Sequence, residues 1–338
     1  MAIHHLVVSA LMALSYLQTQ LHTSKPELNS TEWLLYKRQF GKSYASEEVD
    51  SMRKLIFFAN KHKIDKHNAQ HEHMKLGLNH LSDQSDAEFK QLLGFKPAMK
   101  EMRKFSGGSD FLNEILARDV DVPDELDWRK VPNRVSEVKD QGKCGSCWAF
   151  SAVGALEGQE VPRKYAENLT MLSEQNIVDC AETDGCRGGS AALAYKYAKN
   201  GIETSRDYPY VGKSGVCQFR KEKAYMNDSG FTDVPEHEET MRQVVAKFGP
   251  VSAAMNANDD FMSYKSGVYY NDDCKDGIFH LNHAVVVVGY GHDEKSNMDY
   301  WLVKNSWGKS WGDGGYVKMA RNRNNNCGIA SDTTIPTF

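Results

Sequence analysis

The sequence predicts an α+β protein in which a helical part precedes a strand-rich part. Up to about Asn200, helix-forming segments dominate, with apolar residues at three- and four-residue steps. Beyond Phe231, short β-branched or aromatic runs bounded by Gly and Asn, such as HAVVVVGYG and DYWLVKNSWG, indicate antiparallel strands. All seven cysteines follow residue 143, which sets a cysteine-free first third apart. The 338 residues suffice for a removable segment and a large body with its own core.

The N-terminus carries an apolar run from Leu6 to Leu17 that is too short to span a membrane. Its length suits the apolar region of a signal peptide, although histidines stand where Lys or Arg is expected before it. We therefore predict a signal peptide over residues 1–17. A buried N-terminal helix is the alternative.

The stretch that follows predicts a helical segment. Residues 30–68 are rich in helix formers, and their apolar positions favour two amphipathic helices. The alternating run at 76–78 indicates a short strand. Ser85 begins a helix through Leu93, because Glu88 three residues later completes a capping box.

A connector is expected next. Residues 94–121, with Gly107, Gly108 and scattered charges, predict an exposed linker, and Val122 and Pro123 begin a new segment.

Three helices are predicted in the segment after Val122. The small and apolar run WAFSAVGALEGQ after Cys147 indicates a buried helix. Ser173 is the predicted N-cap of a second helix, and a third begins past Gly188 and Gly189.

The candidate nucleophile lies in the stretch QGKCGSCWAF, where Cys147 is expected in the first turn of a helix. Backbone N–H groups and the helix dipole favour a thiolate there, so we expect a lowered Cys147 pKa. The pattern C-G-[SA]-C-[WY] marks the nucleophile of papain-like enzymes, with His and Asn further along the chain.

His283, at the start of a predicted strand, is the candidate base, and His280 is its rival. Asn305 in KNSWG would orient the base.

Two neighbouring residues complete the candidate catalytic set. Gln141 can donate a side-chain N–H to an oxyanion, together with the backbone N–H of Cys147. Trp307 can shield the bond between His283 and Asn305 from water.

The first third of the chain resembles the inhibitory prosegment of cathepsin L-like proteases. It matches most of the motif E-x3-R-x3-F-x2-N-x3-I-x3-N, with Val49 in place of the first Glu, and most of G-x-N-x-F-x-D, with Leu81 in place of Phe. The matching positions are Arg53, Phe57, Asn60, Ile64, Asn68, Gly77, Asn79 and Asp83.

The resemblance implies a papain-like two-lobed fold with the active-site groove between the lobes. It implies an inhibitory propeptide over 18–121 and a mature peptidase over 122–338. The helical lobe would cover about 131–232, and the antiparallel, barrel-like, strand-rich lobe about 233–338. The implied activity is that of a cysteine endopeptidase made as a zymogen.

An odd number of cysteines in an exported chain leaves one free thiol after three bridges, and Cys147 is the candidate. The sequence alone allows many pairings of the other six. The resemblance implies three of them: Cys144 with Cys186, Cys180 with Cys217, and Cys274 with Cys327.

The resemblance also implies the residues that bind substrate. A wide pocket with a carboxylate at Asp332 should accept Arg or Lys as well as Leu or Phe. The alternative is that Asp332 turns to solvent. The implied substrate-binding positions are Gly188, Gly189, Ser190, Ala191, Ala254, Leu281, Ala284 and Asp332.

Activation at acidic pH is a hypothesis that rests on the histidines of the first third, because His changes charge between about pH 5 and 8. A solvated polar helix face is the alternative. The five histidines are His62, His67, His71, His73 and His80.

Composition limits the partners. A net charge of −4 with interspersed signs argues against nucleic acid, and no metal, cofactor or membrane span is expected. We expect a monomer that binds protein and peptide substrates, its own propeptide and cystatin-like inhibitors. Secretion or lysosomal delivery is expected, with candidate glycosylation at Asn29, Asn168 and Asn227.

Two other functions remain open at this stage. Cys144-Gly-Ser-Cys147 is formally a C-x-x-C redox motif, which would suit a thiol–disulfide oxidoreductase. A catalytically inactive relative used for binding is the second alternative, and the intact set of Gln141, Cys147, His283 and Asn305 argues against it.

Overall fold

A computed structural model describes residues 30–98 and 108–338. The predicted signal peptide and Asn29 lie outside the described residues. The described residues divide into two compact units, with the boundary between Ala59 and Asn60. Within the described ranges, no helix is both long enough and apolar enough to cross a bilayer.

The described part of the first unit is built on aromatic side chains. Trp33, which is buried, stacks on Tyr36 and Tyr44 and makes a tilted contact with Phe57. Its indole Nε1 donates to Asp50 Oδ2 at 2.9 Å. These contacts explain why apolar residues recur at helical spacing here.

The helices confirm most of the sequence-based expectations. Ser85 and Glu88 form the predicted capping box, and Ser173 caps its helix through the backbone N–H of Asn176. The described α-helices are α1 (Ser30–Gln39), α2 (Glu47–Gln70), α3 (Asp86–Leu92), α4 (Gly108–Leu116), α5 (Cys147–Glu157), α6 (Glu174–Cys180), α7 (Ala191–Ala198), α8 (Glu238–Lys247) and α9 (Asp259–Met262).

The strands form one path in the order β1-β5-β8-β7-β6-β4-β9-β3, with β2 paired to β6. Neighbours are antiparallel except β5 and β8, which are parallel. The described strands are β1 (Met74–Leu76), β2 (Leu126–Asp127), β3 (Gly230–Val234), β4 (Val251–Met255), β5 (Tyr264–Tyr269), β6 (His283–Asp293), β7 (Met298–Lys304), β8 (Tyr316–Ala320) and β9 (Thr333–Thr337).

Helix α5 lies between the helical and strand-rich parts. Ten of its eleven residues are buried, because it packs on α7 on one side and on β4 and β6 on the other. Gly154 permits this close packing, since a Cβ there would lie 2.7 Å from a methyl group of Val286. A helix that is apolar all round is typical of such a central position.

The expectation of an exposed connector over 94–121 is wrong in two places. Phe95 and Ala98 are buried, and residues from Gly108 onward form α4, with Leu112 and Ile115 facing the core. The sequence GSDFLNEIL places its apolar residues on one helix face, so scattered charges and two glycines were a poor guide.

Candidate active site

Cys147 is the first residue of α5, at the positive end of the helix dipole. Its side chain is fully buried, and backbone N–H groups of Ala284 and Gly94 interact with its sulfur. Ala284 follows His283 in β6. The sulfur therefore lies between a helix tip, the start of a strand and a segment of the first third of the chain.

Burial controls the charge of both candidate catalytic groups. It raises the pKa of the Cys147 thiol to about 11, although the backbone N–H groups favour the thiolate. It also lowers the pKa of His283 to about 4. At neutral pH the sulfur is a thiol and the imidazole is uncharged. The expected lowering of the Cys147 pKa is wrong for this form of the protein, because that expectation counted the dipole and omitted the burial.

His283 is held by Asn305. Its Nε2 lies 2.8 Å from Asn305 Oδ1, which also accepts from the backbone N–H of Ser306 at 2.8 Å. An amide oxygen can only accept hydrogen bonds, so the imidazole proton must be on Nε2. Nδ1 is therefore the basic nitrogen. Among the described residues Nδ1 has no hydrogen-bond partner. Trp307 makes a tilted contact with the imidazole, with ring centroids 4.6 Å apart and 33° between the ring planes.

His280 is placed differently from its rival. It ends a short 3₁₀ turn, Ile278–His280, before β6 begins, and its side chain is exposed. His283, by contrast, is buried and is the first residue of β6. Exposure and position therefore separate the two histidines.

Gln141 is fixed from both ends of its amide. Its Oε1 accepts from Ser306 Oγ at 2.7 Å and from Trp307 Nε1 at 3.2 Å. Its Nε2 therefore points the other way and donates to Cys144 O at 2.7 Å and to Leu92 O at 2.9 Å. The N–H expected to bind an oxyanion is occupied here by a carbonyl from α3.

A short backbone segment crosses the groove and bonds to both walls. Gly94 O accepts from Gly189 N–H at 3.0 Å, and Lys96 N–H donates to Gly189 O at 2.8 Å. On the opposite wall, Phe95 N–H donates to Asn282 O at 3.0 Å. The backbone N–H and carbonyl of Gly189 and the carbonyl of Asn282 are thus already paired with this segment.

Gly94 is required by a close approach. A Cβ at this position would lie 1.8 Å from Gly145 O, a distance no side chain tolerates. The glycine lets the segment pass directly over the loop that precedes Cys147.

The side chain of Phe95 is buried in an apolar cluster, which is called the apolar pocket below. Four of the residues expected to bind substrate share a buried cluster with it: Ala191, Ala254, Leu281 and Ala284. Two other expected positions, Ser190 and Gly188, shape the backbone of the groove. Ser190 caps α7 by accepting from Leu193 N–H, and Gly188 has a φ of 126° with Gly94 O close by.

Asp332 lies beside this pocket and is 7% exposed. Its backbone oxygen accepts from Ala254 N–H at 2.9 Å, and its Oδ1 accepts from Thr334 Oγ1 at 3.4 Å. The carboxylate is therefore buried rather than turned to solvent.

Three disulfides join the pairs that the resemblance implies: Cys144–Cys186, Cys180–Cys217 and Cys274–Cys327. Of the described cysteines, Cys147 is the free one. Because Cys144 is bonded to Cys186, it does not form a redox pair with Cys147.

Some residues of the site were missed from sequence. Ser306, Asn282, Gly94 and Phe95 all take part in the hydrogen bonds or packing of the groove. Ser306 lies in KNSWG, but only Asn305 and Trp307 were selected from that run, and the other three belong to no pattern that reveals them. Only long-range contacts identify them. Away from the groove, the side chains of Asn168 and Asn227 are exposed.

Two family models match the chain. Residues 122–337 match the papain family of cysteine proteases, and residues 33–89 match a cathepsin propeptide inhibitor domain. Residues 90–121 lie outside both matches.

Individual relatives match the chain over nearly its full length. Cathepsin L of Sarcophaga peregrina is 46% identical over 98% of this chain and 99% of its own length. Human cathepsin L2 is 41% identical over 90% of this chain and 92% of its own. The solved structure of digestive procathepsin L2 proteinase from Tenebrio molitor larval midgut is similar with a TM-score of 0.84 and 36% identity, covering 91% of this chain and 99% of that one.

Proposed function

Because the chain belongs to the papain family of cysteine proteases, we propose that Cys147, His283, Asn305 and Gln141 perform its endopeptidase reaction. The protein is a cysteine-type endopeptidase that carries its own propeptide inhibitor domain. The roles of individual residues, the activating pH and the substrate preference are the proposal.

In the proposed reaction, the Cys147 thiolate attacks the carbonyl carbon of a peptide bond while His283 Nδ1 holds the thiol's proton. Gln141 Nε2 and the Cys147 backbone N–H bind the oxyanion. His283 then passes the proton to the leaving amine, and an acyl-enzyme remains on the sulfur. Water, deprotonated by His283, hydrolyses the acyl-enzyme and restores the thiol. Asn305 keeps the imidazole in the required tautomer throughout.

One observation carries this proposal. The carbonyl of Leu92 occupies the Gln141 N–H, and Gly94 lies at the Cys147 sulfur, where a scissile peptide would have to bind. The same segment explains inhibition, since it blocks the groove and buries the thiol. Departure of the segment would admit water, which lowers the cost of charging both the sulfur and the imidazole.

An alkylation experiment tests the proposal. In the proform, iodoacetamide should label Cys147 slowly at pH 7, because the thiol is buried with a raised pKa. After activation, labelling should be at least about tenfold faster and should abolish proteolysis, as intact mass and a peptide cleavage assay would show. A Cys147→Ala variant is the control for labelling elsewhere. Full proteolysis by the labelled enzyme would contradict the proposal.

Activation at acidic pH is proposed to depend on His67 in α2. Burial lowers the pKa of His67, and its Nε2 has no hydrogen-bond partner in the described part of the chain. Of the groups facing it, Asp260 at 3.9 Å and the backbone of Met74 favour its charged form, whereas His71 and Lys75 oppose it. The burial effect is the largest of these.

The sign follows from proton binding. A detached His67 has an ordinary pKa near 6.5, so the detached segment binds protons more readily than the docked one. Docking should weaken as the pH falls through about 6.5. The exposed ion pair of Lys96 with Asp184 does not respond in this range, because Lys96 lowers the Asp184 pKa.

The pocket is proposed to accept basic as well as apolar side chains. The buried cluster that Phe95 shares with small residues such as Ala191 and Ala254 supports the acceptance of apolar side chains. The buried carboxylate of Asp332 supports the acceptance of Arg or Lys.

We propose two cleavages of the chain and delivery through the secretory route. Signal peptide removal after about residue 17 and cleavage near Val122 would leave a peptidase with the two lobes predicted at 131–232 and 233–338. Three disulfides support an oxidising compartment and hence secretion or lysosomal delivery. Exposed Asn168 and Asn227 suit glycosylation, and cystatin-like inhibitors would bind the same groove of a monomer.

A further inference from the structure

Helix α4 lies in the stretch of 90–121 that neither family domain includes. Among the described elements it packs against α8 and β3, which belong to the peptidase. Its docking surface is therefore separate from the groove that the inhibitory segment blocks.

The apolar face of α4 is well buried. Ile115 is 0% exposed and Leu112 is 7% exposed, and both belong to the core of the strand-rich part. Phe111 makes an edge contact with Phe248 at 6.3 Å, and the Arg163 guanidinium lies 5.8 Å from the Phe111 ring. Burial of these two side chains removes apolar surface from water, which favours the docked helix.

Polar contacts fix the end of α4 to α8. Lys247 Nζ donates to Leu116 O at 2.6 Å, and Arg118 donates to Lys247 O at 3.4 Å. The Lys247 ammonium thus neutralises the negative end of the helix dipole. A nine-residue helix is marginal on its own in water, so its order comes from this docking.

The chain after α4 is exposed over a few residues and is then bound to α8 again at Val122. Residues 119–121 are exposed, whereas the Val122 and Pro123 carbonyls accept from Arg242. Proteases cut exposed backbone most readily. The helix is thus protected, and both it and the new N-terminus expected near Val122 are bound to α8.

We propose that α4 stays on the peptidase after the inhibitory segment has left the groove, so that its site on α8 and β3 is a permanent interaction surface. This inference rests on the proposed zymogen activation. Within the described residues, the contacts of α4 given above are with α8, β3, Phe248 and Arg163, so they do not depend on residues 94–98.

The test is the composition of the activated enzyme. Full-length proform is activated with acid and purified by gel filtration, and every chain in the active peak is identified by intact mass and N-terminal sequencing. We expect residues 108–116 in that peak, either joined to Val122 or as a bound peptide. Active enzyme that lacks these residues at the earliest time point would overturn the inference. Absence of any activity would instead count against the proposed activation.

A pair of variants probes the docking surface itself. L112N/I115N should remove the apolar contacts and release the helix, so that residues 108–116 leave the active peak. Asn113→Ala, an exposed position on the same helix, should retain it as the unaltered protein does. Retention of the helix in the double variant would contradict the inference, because the attachment would then not depend on the buried side chains.

Discussion

At the scale of single residues, Gln141 links inhibition to catalysis. Two donors hold its oxygen, Ser306 and Trp307, so its N–H can point in one direction only. In the zymogen that N–H binds the Leu92 carbonyl, and in the proposed reaction it binds an oxyanion. The same preorganised donor therefore serves the inhibitor and the transition state.

Gln141→Ala should lower kcat of the activated enzyme by about 10²–10³-fold with a much smaller change in KM, because an oxyanion donor acts mainly in the transition state. Steady-state kinetics on a fluorogenic peptide would measure this. Lys143→Ala, at an exposed site two residues away, should leave both constants unchanged. An equal loss of binding and turnover would argue for a structural role only.

Asp332→Ala should reduce the ratio of Arg to Leu cleavage at the second residue before the cut. A hydrogen bond to a charged group contributes about 1.5–3 kcal/mol, which corresponds to about tenfold or more in that ratio. A peptide library would give the ratio directly. Asp233→Ala is the matched control, since Asp233 accepts from the same Thr334 hydroxyl. An unchanged ratio in Asp332→Ala would reject the basic preference.

At the scale of elements, α2 and β1 bring the prosegment into the fold of the peptidase. Strand β1 extends the sheet by pairing Met74 with Gly267. Asn79 Nδ2 donates to Met262 O at 2.8 Å, which ties the next turn to α9. His67 lies 3.9 Å from Asp260 near these attachments, so we expect its charge to affect the docking of residues 60–79.

His67→Gln should move the midpoint of acid activation to lower pH, because the uncharged amide removes the preference of protons for the detached segment. Processing monitored by gel electrophoresis across a pH series gives the midpoint. His62→Gln, an exposed position on the same helix, should leave it in place. If both variants process at the pH of the unaltered protein, another group controls activation.

At the scale of the whole molecule, local patterns were sufficient for much of the fold. Caps at Ser85 and Ser173 and the β-branched run from His283 follow from neighbouring residues, and the structure bears them out. Helix α4 was missed, because its apolar face is short and its stability comes from α8. The raised Cys147 pKa was missed because it comes from burial, and residues far away in sequence, such as Gly94, contribute to covering the sulfur.

The contact of Gly94 with Gly145 has a consequence for latency. Dormancy of this protease depends on one missing methyl group, since the smallest side chain at position 94 would collide with the loop beside the nucleophile. A single-base change that introduces alanine there should therefore displace the segment that covers the nucleophile, and the uncleaved proform should then hydrolyse peptides faster than the unaltered one.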